Sequence, residues 1–251
     1  QAQESLIVMN AHRVNSGVMP DLKTVTSDFF FLRRRTEEAV ASTIGDLCRT
    51  RLPDRMGIPP EEIQVLSPTR KGPMGTASLN LLLQAQLNPP APDKKEKKWG
   101  DFSFREGDRV MQIRNNYDIL WKKTDGTQVG TGIFNGDIGV ITEIDLNAEL
   151  LTVVFDDRQA EYDFDMLREL ELAYAMTVHK SQGSEYQAVV LAAWSCAPNL
   201  RTRRVLYTAI TRARKLLVVV GREDILQTMT ENQRQSRRYS GLKLRLQEKE
   251  Q

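Results

Sequence analysis

The chain alternates between two folding patterns, and the places where it switches constrain its fold more than any other feature. In residues 1–95, and again beyond Leu170, apolar runs of strand length alternate with helical periodicity. Ile63-Gln64-Val65-Leu66-Ser67 stops at Pro68, residues 188–193 are apolar throughout, and 216–220 are closed by Gly221. Runs without polar alternation suit strands buried on both faces, as in a parallel sheet covered by helices. Thr36 reads as an N-cap with Glu37 and Glu38 in the first turn, and Val40, Ile44, Leu47 and Cys48 follow at helical spacing. The spacing therefore predicts helices over 37–51, over 76–87 (stopped by Asn88-Pro89-Pro90) and over 202–213, where Leu206, Ala209, Ile210 and Ala213 form a stripe. Residues 5–11 read as strand or helix. Residues 102–170 differ. Runs at 109–113, 139–144 and 151–155, with hairpin signals at Asp125-Gly126 and Asn135-Gly136, suggest a small SH3-like or OB-like barrel. The Pro- and Lys-rich stretch 89–100 reads as an exposed linker.

The simplest arrangement is one α/β domain built from both ends of the chain, 1–95 and 171–251, with the barrel inserted at 96–170. A barrel of that kind is expected to fold by itself, so that its removal leaves a folded α/β core. At 251 residues the chain can bury the core this requires. Its 40% hydrophobic and 27% charged residues are ordinary globular usage. No run nears the roughly 18 apolar residues of a spanning helix, so no membrane partner is expected. Cys48 and Cys196 are far apart, without metal-site spacing, which excludes a disulfide framework or zinc site and fits a cytoplasmic setting. The chain opens at Gln1 without an initiator Met and reads as a piece of a longer protein. Basic residues cluster at 33–35, 94–98, 201–215 and 234–245, each of which could be a solvated face.

No GxxxxGK[ST] phosphate loop is present, and no acidic pair follows a buried strand to hold magnesium. Neither histidine belongs to a triad, so no complete catalytic site is visible. Three segments nevertheless suit phosphates. Ser67-Pro68-Thr69-Arg70-Lys71-Gly72 follows a strand, where open α/β sheets place ligands, although an ordinary polar loop would read the same. Thr177-Val178-His179-Lys180-Ser181-Gln182-Gly183-Ser184-Glu185 gathers hydroxyls, an imidazole, an ammonium and an amide around a glycine. Arg212 closes the third, at the edge of the 202–213 helix, where a cation could equally complement the helix dipole.

In order and wording these segments resemble the C-terminal half of RecD-like superfamily 1 DNA helicases, the family of the exodeoxyribonuclease V alpha subunit. Ala175-Met176 with 177–185 is similar to helicase motif V, and Tyr207-Thr208-Ala209-Ile210-Thr211-Arg212-Ala213 to motif VI. Residues 65–72 resemble a strand and loop of the family's second motor domain, and 1–13 the start of that domain. Residues 107–110, Asn115-Asn116-Tyr117-Asp118 and 135–140 resemble its SH3-like insertion. The resemblance implies an α/β fold: a RecA-like parallel-sheet domain (2A) carrying an inserted all-β SH3-like barrel (2B).

It also implies ATP and Mg2+ as cofactors of a complete enzyme, held mainly by an N-terminal RecA-like domain that is the partner of this one. By the family pattern Arg212 is the arginine finger and the catalytic residue here. Gly183 and Glu185 join it in binding nucleotide. Thr177, His179, Lys180, Arg70 and Asn116 bind single-stranded DNA, although Arg70 could face the nucleotide instead. No metal ligand is expected. The implied function is the motor half of an ATP-dependent 5′→3′ DNA helicase, inactive and without tight nucleotide binding alone, with nuclease-complex subunits as further partners. The competing reading is a non-enzymatic SH3-like and α/β module that binds nucleic acid or peptide; an aromatic content of 7% weakens it.

Overall fold

The computed structural model describes residues 5–25 and 28–233. The basic cluster 234–245 and the first four residues of the 1–13 segment lie outside them. The first part of the chain contains α1 (Leu6–Asn15), β1 (Phe29–Arg33), α2 (Glu37–Asp46), α3 (Leu52–Met56), β2 (Ile63–Ser67) and α4 (Thr76–Leu87). Next come β3 (Glu96–Trp99), β4 (Phe102–Arg105), β5 (Arg109–Gln112), β6 (Asn116–Lys123) and β7 (Val129–Ile133). They are followed by β8 (Ile138–Asp145), β9 (Leu150–Phe155), β10 (Arg158–Asp163) and β11 (Leu170–Leu172). The last part holds β12 (Ala175–Thr177), β13 (Tyr186–Ala193), α5 (Arg203–Ile210), β14 (Ala213–Gly221) and α6 (Glu223–Glu231).

Five strands, in the order β1-β14-β13-β2-β12, form a wholly parallel sheet. Its apolar runs serve both faces at once. Val65, Val190, Ala192 and Val218 share a core with α2 and α4, while Leu66, Val189, Leu191 and Val219 share another with α1, α5 and α6. That two-sided burial explains why 188–193 and 216–220 lack polar alternation. Local signals place the helix starts: Ser5, Thr36 and Thr202 each accept a hydrogen bond from a first-turn backbone N–H.

Seven strands, β11-β5-β8-β9-β10-β6-β7, form an antiparallel SH3-like sheet. The fold is thus α/β and RecA-like with an all-β insertion. The two cores are not separate: the cluster holding Val40, Ile44, Leu79 and Leu83 continues into Phe104, Val110, Ile141 and Leu151.

The run 5–11, open between strand and helix, is helix. Three local expectations are corrected. The 202–213 helix stops at Ile210, because Ala213 already pairs with Tyr186 as the first residue of β14. The expected linker 89–100 contains β3, which pairs with β4 and is held by the Glu96–Arg105 ion pair at 2.6 Å and by Lys97 over the Phe164 ring. Asn135-Gly136 joins β7 to β8, which are not neighbours, and so is not a hairpin. The tight β9–β10 hairpin turns instead on Asp156, at φ 52°.

Candidate functional site

Because all five strands run the same way, the sheet has a carboxyl edge and an amino edge, and the candidate residues divide between them. Ser67 and Thr177 end adjacent strands at the carboxyl edge. The Ser67 hydroxyl donates to the Met74 carbonyl at 2.7 Å, and the Val178 N–H donates to the Ser67 carbonyl at 3.0 Å, which ties the two loops together. Thr177 is half-buried; its carbonyl accepts from the Lys180 and Ser181 N–H groups. His179 and Lys180 are exposed.

Arg70 and Lys180 meet on one carboxylate that the sequence did not advertise. Glu171 ion-pairs with Lys180, and its other oxygen lies 3.6 Å from the Arg70 guanidinium. Glu171 belongs to β11, flanked by buried Leu170 and Leu172, and nothing in its spacing announces a charge partner at position 70.

The segment 178–185 then carries the chain from the carboxyl end of β12 back to the amino end of β13. These strands flank β2, so the segment crosses over it. The crossover is a succession of turns, with the buried Ser181 hydroxyl donating to the Val178 carbonyl at 2.8 Å. Gly183 sits at φ +88°, a left-handed conformation in which a side chain would be strained.

At the amino edge, Arg212 follows α5 and donates through all three guanidinium nitrogens. Nη1 reaches the Ser184 carbonyl at 2.8 Å, Nε the Thr208 carbonyl at 3.2 Å and Nη2 the Thr211 hydroxyl at 3.1 Å. The Arg212 carbonyl accepts from the Tyr186 N–H at 2.9 Å, so its side chain and its backbone both tie this residue to the end of the crossover. Burial raises the Tyr186 hydroxyl above its usual range, opposed in part by Ser184 and the nearby Arg109 and Arg212 guanidinium groups. Glu185 is exposed and lies 3.9 Å from Arg214. Gly183, Glu185 and Arg212 are thus brought to one end of the sheet, and Arg70, Thr177, His179 and Lys180 to the other.

Asn116 lies in the barrel. Its side-chain carbonyl accepts from the Asp118 and Ile119 N–H groups, and its amide donates to Glu169 at 3.0 Å.

A guanidinium carries five N–H groups, so Arg212 keeps two for an anion such as a terminal phosphate. Among the described residues no three or more His, Cys, Asp and Glu side chains cluster to hold a metal ion. Among the described residues no helix is long and apolar enough to cross a membrane.

Two protein families match in tandem. Residues 79–155 match the ATP-dependent RecD-like DNA helicase SH3 domain, and residues 172–220 match the UvrD-like helicase C-terminal domain. The chain belongs to the RecD-like superfamily 1 helicases. Of its RecD-like relatives, the ATP-dependent RecD2 DNA helicase of Deinococcus radiodurans is 34% identical over 71% of this chain and 22% of its own length. The RecBCD enzyme subunit RecD of Mycolicibacterium smegmatis is 31% identical over 74% of this chain and 29% of its own. The chain therefore spans less than a third of the length of these curated relatives. Among solved structures, Bacteroides Pif1 bound to single-stranded DNA aligns with TM-score 0.49 and 15% identity, covering 90% of this chain and 51% of that one.

Proposed function

We propose that the chain supplies the second motor domain, residues 1–95 and 171–251, and a barrel insertion, 96–170, to an ATP-dependent helicase that moves 5′→3′ along single-stranded DNA. The observation that carries this reading is the crossover 178–185. It begins just after Thr177, has His179 and Lys180 near its start, and ends with the Ser184 carbonyl bonded to Arg212. The crossover backbone thus links the two edges of the sheet directly, a route by which a displacement at one edge reaches the other.

In the complete enzyme ATP and Mg2+ supply the phosphoanhydride cleavage that drives the cycle, held mainly by an N-terminal RecA-like domain of the same protein. Arg212 turns its two spare N–H groups to the terminal phosphate, where negative charge develops in the transition state. Gly183 lets the crossover backbone approach that phosphate, and Glu185 takes the ribose. Thr177, His179 and Lys180 hold successive DNA phosphates. Arg70 belongs with them rather than with the nucleotide, because it shares Glu171 with Lys180. Asn116 adds a DNA contact from the barrel through its remaining amide N–H. The protein works in the cytoplasm, and the relatives named as RecBCD subunits make nuclease-complex partners a consistent setting.

Arg212→Lys tests the reading in the complete enzyme. A lysine keeps the charge but loses the fork, so turnover falls by on the order of 10³-fold while ATP binding changes little. Turnover within a few-fold of the parent would reduce Arg212 to a brace for the Ser184 turn. The chain of residues 1–251 alone has a second expected behaviour. Exposed ion pairs contribute roughly 1 kcal/mol or less each, far below the roughly 8 kcal/mol of micromolar affinity. It therefore shows no ATP turnover and no tight ATP binding, yet binds single-stranded DNA weakly and with steep salt dependence. Normal ATPase kinetics from this chain would sink the half-site reading.

A further inference from the structure

Tyr117 and Phe134 are large aromatic side chains left in water, 65% and 41% exposed, at one end of the barrel. Their rings meet edge to face, with centroids 5.6 Å apart and planes inclined at 68°. Mutual packing does not explain so much remaining exposure. Nor is the pair needed to join its two loops, since the Asn135 N–H already donates to the Asn115 side chain at 3.0 Å.

The corner is built to stay open. Gly132 takes φ +97°, and a Cβ there would lie 2.9 Å from the tip of the Phe134 ring, so the glycine makes room for that ring. The Tyr117 hydroxyl accepts from the Asn115 amide at 3.3 Å. Behind the rings, Glu169 accepts from Gln112 at 2.9 Å and from Asn116 at 3.0 Å, which fixes the start of the strand bearing Tyr117. Exposed Arg114 lies in the same loop.

Position supplies the occupant. Glu169 ends the 3-10 turn that leads into β11 and Glu171 lies within that strand, so the two are near neighbours along the chain, at most roughly 7 Å apart between Cα atoms. Glu169 braces the aromatic corner and Glu171 holds Lys180 and Arg70. The corner and the cations at 70 and 180 are therefore anchored to carboxylates two residues apart in the chain, within a few nucleotides' length of an extended single strand. Two rings at an angle offer one wall for the face of a flat aromatic group and one for its edge, and an unpaired base has both.

We propose that Tyr117 and Phe134 form a stacking corner for a base of single-stranded DNA whose phosphates lie on Lys180 and Arg70. The proposal rests on the DNA reading above and adds a contact made with the base rather than the backbone. Stacking of this kind accepts any base, so the corner grips without choosing sequence.

The test is titration of the full chain, and of the complete helicase, with fluorescent oligothymidine and with an abasic strand of the same length. Tyr117→Ala and Phe134→Ala each weaken oligothymidine binding roughly tenfold and leave the abasic strand within about twofold of the parent protein. Tyr117→Phe retains the parent affinity, which separates stacking from the hydroxyl's bond to Asn115. The salt slope is unchanged in all three variants, since no phosphate contact is removed. Equal losses on both strands, or no loss on oligothymidine, overturn the stacking corner while leaving the backbone contacts standing. A parent protein that binds neither strand overturns the DNA reading itself, and the corner with it.

Discussion

Glu171 ion-pairs with both Lys180 and Arg70, so under the proposed function a phosphate arriving at these cations competes with a carboxylate. At 25% side-chain exposure for Glu171, and more for both partners, the pairs are screened and exchange readily. The arrangement keeps the cations aimed without making them unavailable. Glu171→Gln frees both, and single-stranded DNA affinity is expected to rise by roughly two- to fivefold. The logarithmic salt slope should also steepen by about one, since a further counterion is released on binding. Fluorescence titration across a salt series reads both quantities. Unchanged affinity and slope would mean that Glu171 and the phosphates do not compete.

Among the elements, the junction between sheet and barrel is held by a buried hydrogen-bond network centred on Asp108. This fully buried carboxylate accepts from Gln84 at 2.6 Å and Asn88 at 2.8 Å, both at the end of α4. It also accepts from the Arg105 N–H at 2.7 Å, on the way into the barrel, and from the Tyr174 hydroxyl at 2.8 Å, on the way out. Burial raises its pKa above the usual carboxylate range, and the four donors draw it back only in part. For an acid whose native pKa is raised, the associated stability is fully present below the unfolded value and is lost as pH rises through the native one. Asp108→Asn turns an amide towards donors and should cost roughly 1–3 kcal/mol at neutral pH. The parent's advantage over that variant should widen as pH falls from the raised native value towards the ordinary carboxylate range. Thermal unfolding of both proteins across that window measures it, and a pH-independent difference would contradict the raised pKa.

On the scale of the whole molecule, sheet and barrel share structure beyond Asp108. Arg109, on a barrel strand, donates to the Glu61 and Ile63 carbonyls at 3.2 Å, at the amino end of β2. The apolar cluster under α2 and α4 runs on into the barrel interior without a break. The insertion is therefore not expected to behave as the separable unit anticipated from its turn-rich sequence. Replacing residues 96–170 by a short Gly/Ser bridge should abolish the cooperative thermal transition. Cys48 provides an independent readout, since it lies in the shared cluster and burial pushes its thiol up to about 12. A thiol reagent at mild alkaline pH should leave it untouched in the intact chain and label it at once in the shortened one. A cooperative transition and a protected Cys48 after excision would restore the independent-barrel plan.

The elements themselves were legible in the sequence because neighbours within a few residues decide them. Thr36 and Thr202 cap their helices by local hydrogen bonds, Asn88-Pro89-Pro90 stops α4, and runs such as 188–193 can only be strands buried on two faces. The candidate phosphate segments stand out in the sequence for the same reason, their donors being packed into short stretches of chain. Chain neighbours could not decide which edge of the sheet each segment reaches, because strand order depends on contacts between residues far apart in the sequence. Asn135-Gly136 has the local form of a hairpin, yet it joins strands separated in the sheet. Lys180 meets Arg70 on Glu171, Asp108 gathers donors from three segments, and Tyr117 comes to rest against Phe134. Each of these meetings follows from the closing of the barrel and the crossing of the sheet, where burial and packing select the partner and spacing along the chain carries no trace of it.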